Sequence, residues 1–214
     1  MINKFLELIH NRFLKYFKHF FFMRYIFGIF LIAFILFISI PKFLNFEKKR
    51  LILNDFLMKK YEMKIDGYNN ISFKIFPLPH LAIQGSKRKV GNNLFILNTQ
   101  DLKIYVNPMY IYNFQNFKSK KISLNNSQGF FKSTELKYLN QYFKKLNSNI
   151  KFENLDIVFK NNNETILKIQ NIFFSNYGIK KDKIRGEVFD RRFNININRS
   201  QKNLVLKLVD TGIK

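Results

Sequence analysis

The stretch "YIFGIFLIAFILFISIP", Tyr25 to Pro41, runs 17 residues without a charge. No other feature limits so strongly what this chain can fold into. A helix needs about 20 apolar residues to cross the hydrocarbon core of a bilayer. Extending the run back through Arg24 to Phe20 supplies that length, with Arg24 near the end, where it can snorkel to the interface. Residues 25–41 are therefore predicted to be a transmembrane helix. An uncleaved anchor is favoured over a cleaved signal peptide. The preceding 24 residues are long for a signal n-region, and "FISIPKF" offers no small-x-small cleavage site.

Charge does not orient this helix. Arg12, Lys15, Lys18 and Arg24 precede it, and Lys42, Lys48, Lys49 and Arg50 follow, close to a tie under the positive-inside rule. Within residues 1–24, Phe5, Ile9, Phe13 and Phe17 recur every fourth position between basic residues. Two readings stand: a basic amphipathic helix lying on an anionic membrane face, or a membrane helix that starts early.

Pro41 ends the apolar run. Residues 42–61 form a linker in which Phe46, Leu53, Phe56, Leu57 and Tyr61 keep roughly helical spacing. Beyond the turn cluster Gly67 to Asn70 the period changes to two. Ile71, Phe73 and Ile75 share one face of a predicted strand. Leu102, Ile104 and Val106 share another. So do Leu155, Ile157 and Phe159; Phe193, Ile195 and Ile197; and Leu204, Leu206 and Leu208. Only Glu135 to Leu146 reads as helical in this half. Short strands joined mostly by short loops predict an antiparallel meander over residues 62–214, with one or two helices. In "FKIFPLPHLAIQG", Phe73 to Gly85, two of the chain's 4 prolines separate two apolar runs. Proline cannot donate to a ladder, so Pro77 and Pro79 predict a stiff corner between strands, with His80 an exposed turn residue.

The chemistry-bearing residues are sparse. There is no Cys, and the 3 His are His10, His19 and His80, so no thiolate site and no His cluster exists. The 14 carboxylates are scattered, and no Gly-rich phosphate loop occurs. The expectation is a non-enzyme with no catalytic residues, no cofactor and no metal. The net charge of +23 invites a nucleic-acid reading, but the cations are mostly scattered Lys and only 8 are Arg. Phe, Tyr, Met, Ile, Asn and Lys make up 125 of the 214 residues, the skew that AT-rich codons give. No nucleic-acid partner is expected.

Residues 61–124 resemble the N-terminal region of the AsmA-like family. The matching features are Gly67-Tyr68, "ISFKIFPLPHLAIQG" (Ile71 to Gly85), the strand "LKIYVNPMYIY" (Leu102 to Tyr112) and "KSKKISLNN" (Lys118 to Asn126). "IKFENLDIVFKNNNETILKIQNIFFS" (Ile150 to Ser175) looks like that family's next hairpin. Members are usually longer, and this chain ends at "KLVDTGIK" just after a strand, as a fragment or a minimal version would.

The resemblance implies a single-pass anchor in the bacterial inner membrane, with residues 1–24 cytoplasmic and the bulk of the chain periplasmic. It implies a curled sheet or open groove that holds acyl chains and serves phospholipid transport and outer-membrane biogenesis. Membrane phospholipid would be the partner, with envelope proteins as further partners. The lipid-contact candidates are then Ile71, Phe73, Ile75, Leu102, Ile104, Val106, Ile157, Phe159, Leu204, Leu206 and Leu208. Two other readings stand beside it: a membrane-tethered structural or interaction module with a closed β core, and a basic surface that binds anionic lipid or nucleic acid.

Overall fold

The computed structural model describes residues 22–91, 95–132, 134, 148–161, 164–179, 183–198 and 203–209. Two units form. The first contains α1, Phe22–Phe43, long and apolar enough to cross a membrane, with a mean hydropathy of 2.4 in its most apolar window. It takes in Phe22, Met23 and Arg24 ahead of the predicted start, and its last residues, Ile40–Phe43, tighten into a 3-10 turn around Pro41. The rest of the segment 1–24 lies outside the described residues.

The second unit is one open sheet of ten strands. Strands β1 (Met63–Gly67) and β2 (Asn70–Lys74) both pair with one edge of β3 (His80–Val90). The order then follows the chain through β4 (Phe95–Val106), β5 (Ser119–Lys132), β6 (Ile150–Asn161), β7 (Glu164–Ser175), β8 (Lys183–Val188), β9 (Arg191–Asn198) and β10 (Asn203–Leu208). The meander expectation fails at one place. β5 and β6 are parallel, whereas the other pairs are antiparallel. A parallel pair needs a crossover from one end of the sheet to the other, and residues 133–149 make it. The helix expected at Glu135–Leu146 falls there, outside the described residues.

Helix α2 (Arg50–Tyr61) covers the first strands. It starts later than the predicted segment because a 3-10 turn at Glu47–Lys49 precedes it. Leu53, Leu57 and Tyr61, spaced at one helical turn, are its buried stripe. Glu62 takes a left-handed φ of 51° at the C-cap, where its N–H meets the carbonyls of Leu57 and Met58. Lys60 Nζ donates to Ser119 O at 2.7 Å, and Ser148 Oγ donates to Lys60 O at 3.1 Å, tying the helix end to the strands beneath.

β4 stops at Val106, before Asn107-Pro108, as the alternation of Leu102, Ile104 and Val106 has it, and the segment through Tyr112 that the resemblance drew as one strand is broken there. Asn107 caps a short helix, α3 (Pro108–Tyr112), its Oδ1 accepting from Met109 N at 3.1 Å, with Pro108 at the first helical position. The Pro77-Leu78-Pro79 corner lies between β2 and β3. His80 departs from expectation. It is the first residue of β3 and only 2% exposed, against the ring of Tyr105. The corner folds back so that Nδ1 donates to Leu78 O at 2.6 Å, and Nε2 is buried without a partner.

Candidate functional site: the apolar face of the sheet

The period-two faces line up across the sheet. Ile71 opposes Ile83, Ile83 opposes Leu102, Leu102 opposes Leu124, and Leu124 opposes Phe152. The same row continues through Phe174, Ile184 and Ile195 to Leu206. Directly opposed residues share a face, so one apolar row spans the sheet from β2 to β10.

Cover over this row is graded. At the α2 end, Ile71, Phe73, Leu102, Ile104 and Val106 are buried in one core with Leu53, Leu57 and Tyr61 of α2, and Ile75 packs partly against it. Phe46, Phe114 and Phe117 seal the same region, with Phe46 6.5 Å from Phe73 and 6.0 Å from Phe114, ring to ring. In the middle, Phe159 is buried and Ile157 half-buried. Towards β10, Phe174, Ile184 and Ile195 are half-buried, Leu208 likewise, and Leu206 is 45% exposed. Leu204 opposes Ile197 in the last ladder. The candidates from β2 and β4 are thus core residues. The row is least covered at its β7–β10 end, where Leu206 is its exposed member and Phe174 and Ile184, packed partly against the core, were not singled out from the sequence. Val158, which alternates with Ile157 and Phe159, is buried on the opposite side of the sheet, directly opposed by Phe130.

A second row of unpaired residues crosses the sheet. Gly85, Gln100, Asn126 and Asn154 sit at matched heights in β3 to β6, skipped by the ladders on either side. Gly85, Asn126 and Asn154 have φ of 56°, 47° and 58°, and Asn171 in β7 has 52°. Such a residue reverses the in-out alternation of its strand. On the apolar face, the buried residues of β3 run Leu81 and Ile83, then Ser86, Arg88 and Val90. On the same face of β5 they run Ile122 and Leu124, then Ser127, Gly129 and Phe131. Because β3 to β6 reverse at the same height, their apolar face stays continuous.

Just past this seam lies a polar island. Arg88 stands between Ile65 and Leu97, wholly buried. Its Nη1 donates to Thr99 Oγ1 at 3.1 Å and its Nη2 to Ser86 Oγ, while Ser127 Oγ donates to Thr99 Oγ1 at 3.2 Å. Nε is buried without a partner, and no carboxylate among the described residues pairs with this guanidinium. Burial pulls its pKa down to about 9. Nothing in the sequence marked Arg88, which stands in a run of four basic or polar residues, "SKRK".

Among the described residues, no group of three or more His, Cys, Asp or Glu comes together as metal ligands would. The chain matches no known family, no curated protein and no solved structure.

Proposed function

We propose that this chain is a membrane-anchored, non-enzymatic lipid-handling protein of the AsmA-like type, held by α1 in the bacterial inner membrane with its sheet in the periplasm. Acyl chains lie along the β7–β10 end of the apolar row, and the protein contributes to phospholipid transport and outer-membrane biogenesis. The observation that carries this reading is the row itself: continuous from β2 to β10, sealed by α2 at one end and least covered at the other. Burying a side chain of this size contributes about 1.5–3 kcal/mol. An end where such residues are least covered favours a hydrophobic occupant.

Purified full-length protein, exchanged out of detergent, should retain phospholipid detectable by mass spectrometry. Ile195→Asp and Leu206→Asp should reduce that retention while leaving the β signal in circular dichroism. A folded wild-type protein free of lipid would sink the reading. The periplasmic placement has its own test: a reporter active only in the periplasm, fused after Lys214, should be active.

One observation favours the second reading, a tethered structural module. The α2 end of the face is already packed by protein side chains, as a closed core would be.

A further inference from the structure

The opposite face of β8–β10 carries the other unusual feature of this end of the sheet. Arg185 opposes Asn194, and Asn194 opposes Lys207; Lys183 opposes Asn196. These side chains line a cavity of about 290 Å³ with no carboxylate in its wall. Over the described residues of the three strands and the turn between β8 and β9, five cations (Lys183, Arg185, Arg191, Arg192 and Lys207) stand against Glu187 and Asp190. Glu187 is already engaged, accepting from Asn171 Nδ2 at 3.0 Å.

The turn between β8 and β9 has two residues, Phe189 and Asp190, with φ of 50° and 57°. Both central positions of such a turn need a left-handed backbone, which Asn and Gly take readily and a bulky residue takes only under strain. Phe189 is nevertheless there, and it is 78% exposed. It therefore gains little from burial that would offset its backbone. An exposed, strained aromatic beside a cationic surface is the composition of a membrane-interface contact: the ring enters the headgroup region and the cations meet anionic lipid.

We propose that the β8–β10 end of the sheet docks on an anionic bilayer, with Phe189 inserted at the interface and Lys183, Arg185 and Lys207 against the lipid phosphates. This contact does not depend on whether the apolar face carries lipid, and the test does not read lipid retention.

The chain has no Trp, so Phe189→Trp introduces a single indole that can be excited apart from the 10 Tyr. The full-length variant is reconstituted into vesicles of phosphatidylcholine alone or mixed with phosphatidylglycerol, each with brominated acyl chains. Quenching and a blue shift are expected only in the phosphatidylglycerol vesicles. Because each cation near an anionic membrane surface adds to the attraction, Lys183→Glu/Arg185→Glu/Lys207→Glu should weaken the capture of added phosphatidylglycerol vesicles by at least about tenfold. Phe189→Asn should also weaken capture, while its melting temperature stays equal to or above that of the wild type. A water-like, unquenched indole emission from Phe189→Trp in both vesicle types would overturn the proposal. So would undiminished capture by Phe189→Asn, an outcome that would leave the strained tip to a protein partner.

Discussion

Asn154 Nδ2 donates to Asn126 Oδ1 at 2.8 Å across the β5–β6 ladder, and both residues hold a left-handed backbone. Asn126 Nδ2 passes the chain on to Gln100 Oε1 at 3.1 Å. The amides thus run side by side along the seam where the strands reverse their alternation. Asn is the non-Gly residue best suited to that backbone.

Separating the two contributions gives a first prediction. Asn126→Gly keeps the backbone and loses the amide pair, so it should cost about 1 kcal/mol. Asn126→Val loses both and should cost about 1–2 kcal/mol more. Denaturant melts of the two variants, with Asn154→Ala as the partner arm of a double-mutant cycle, should give a coupling of about 0.5–1.5 kcal/mol.

The graded cover of the apolar face makes a second prediction. Ile104 is wholly buried and Leu206 is 45% exposed. Ile104→Asp places an unpaired carboxylate in the core and should cost more than about 4 kcal/mol, enough to unfold many domains. Leu206→Asp should change stability by under about 1 kcal/mol. Circular dichroism melts of the two variants check the contrast, and equal losses would contradict the gradient.

His80 makes the third. Burial is the largest influence on its ring and lowers its pKa below the ordinary value, a shift the bond to Leu78 O opposes and Lys103 and Lys74 reinforce. The unfolded chain therefore takes up a proton first as pH falls below about 6.5. The His80 contribution should be flat above that pH and should decline below it. His80→Asn, whose amide can still donate to Leu78 O, should flatten the decline. The other two His lie within the first 24 residues and belong to the first unit, so the comparison of pH melts is clean.

Arg88 makes the fourth. A buried cation without an anion costs more than its hydroxyl contacts return. Arg88→Met should be neutral or stabilising, by up to about 4 kcal/mol. The sign has a pH companion: with the native pKa pulled down to about 9, the unfolded state holds the proton longer, so the wild type should gain stability relative to Arg88→Met as pH rises above about 9, while the raised pKa values of Tyr61 and Tyr177 act alike in both proteins. Arg88→Met should lack that gain.

Much of the sheet was legible because its strands alternate cleanly where they do not cross the seam. Leu102–Val106, Phe193–Ile197 and Leu204–Leu208 read correctly for that reason. Where a strand crosses the seam, the alternation changes phase, and a period-two pattern breaks in mid-strand. Ser86–Val90 and Phe95–Thr99 were missed on that account, although they belong to β3 and β4. The Asn residues that mark the seam were hidden by the abundance of Asn elsewhere. His80 was misread because a residue after proline looks like a turn, while its burial depends on Tyr105 from the next strand. The parallel β5–β6 pair could not be read locally at all, since each strand alternates alike whichever direction its neighbour runs.

That pair has a consequence for how the protein assembles. Ile122 meets Ile150 and Lys132 meets Lys160, an offset of 28 residues at both ends. In a hairpin, closing one rung shortens the loop for the next, so pairing zips outward from the turn. Between β5 and β6 every rung closes the same span of chain, and no rung makes its neighbour easier by bringing the ends nearer. Strands β3 to β5 and β6 to β10 can each zip on their own, but they join only when one preformed edge meets the other. The midline of the finished sheet is then its last and slowest contact to form, and substitutions along it should slow refolding more than equal losses of stability elsewhere.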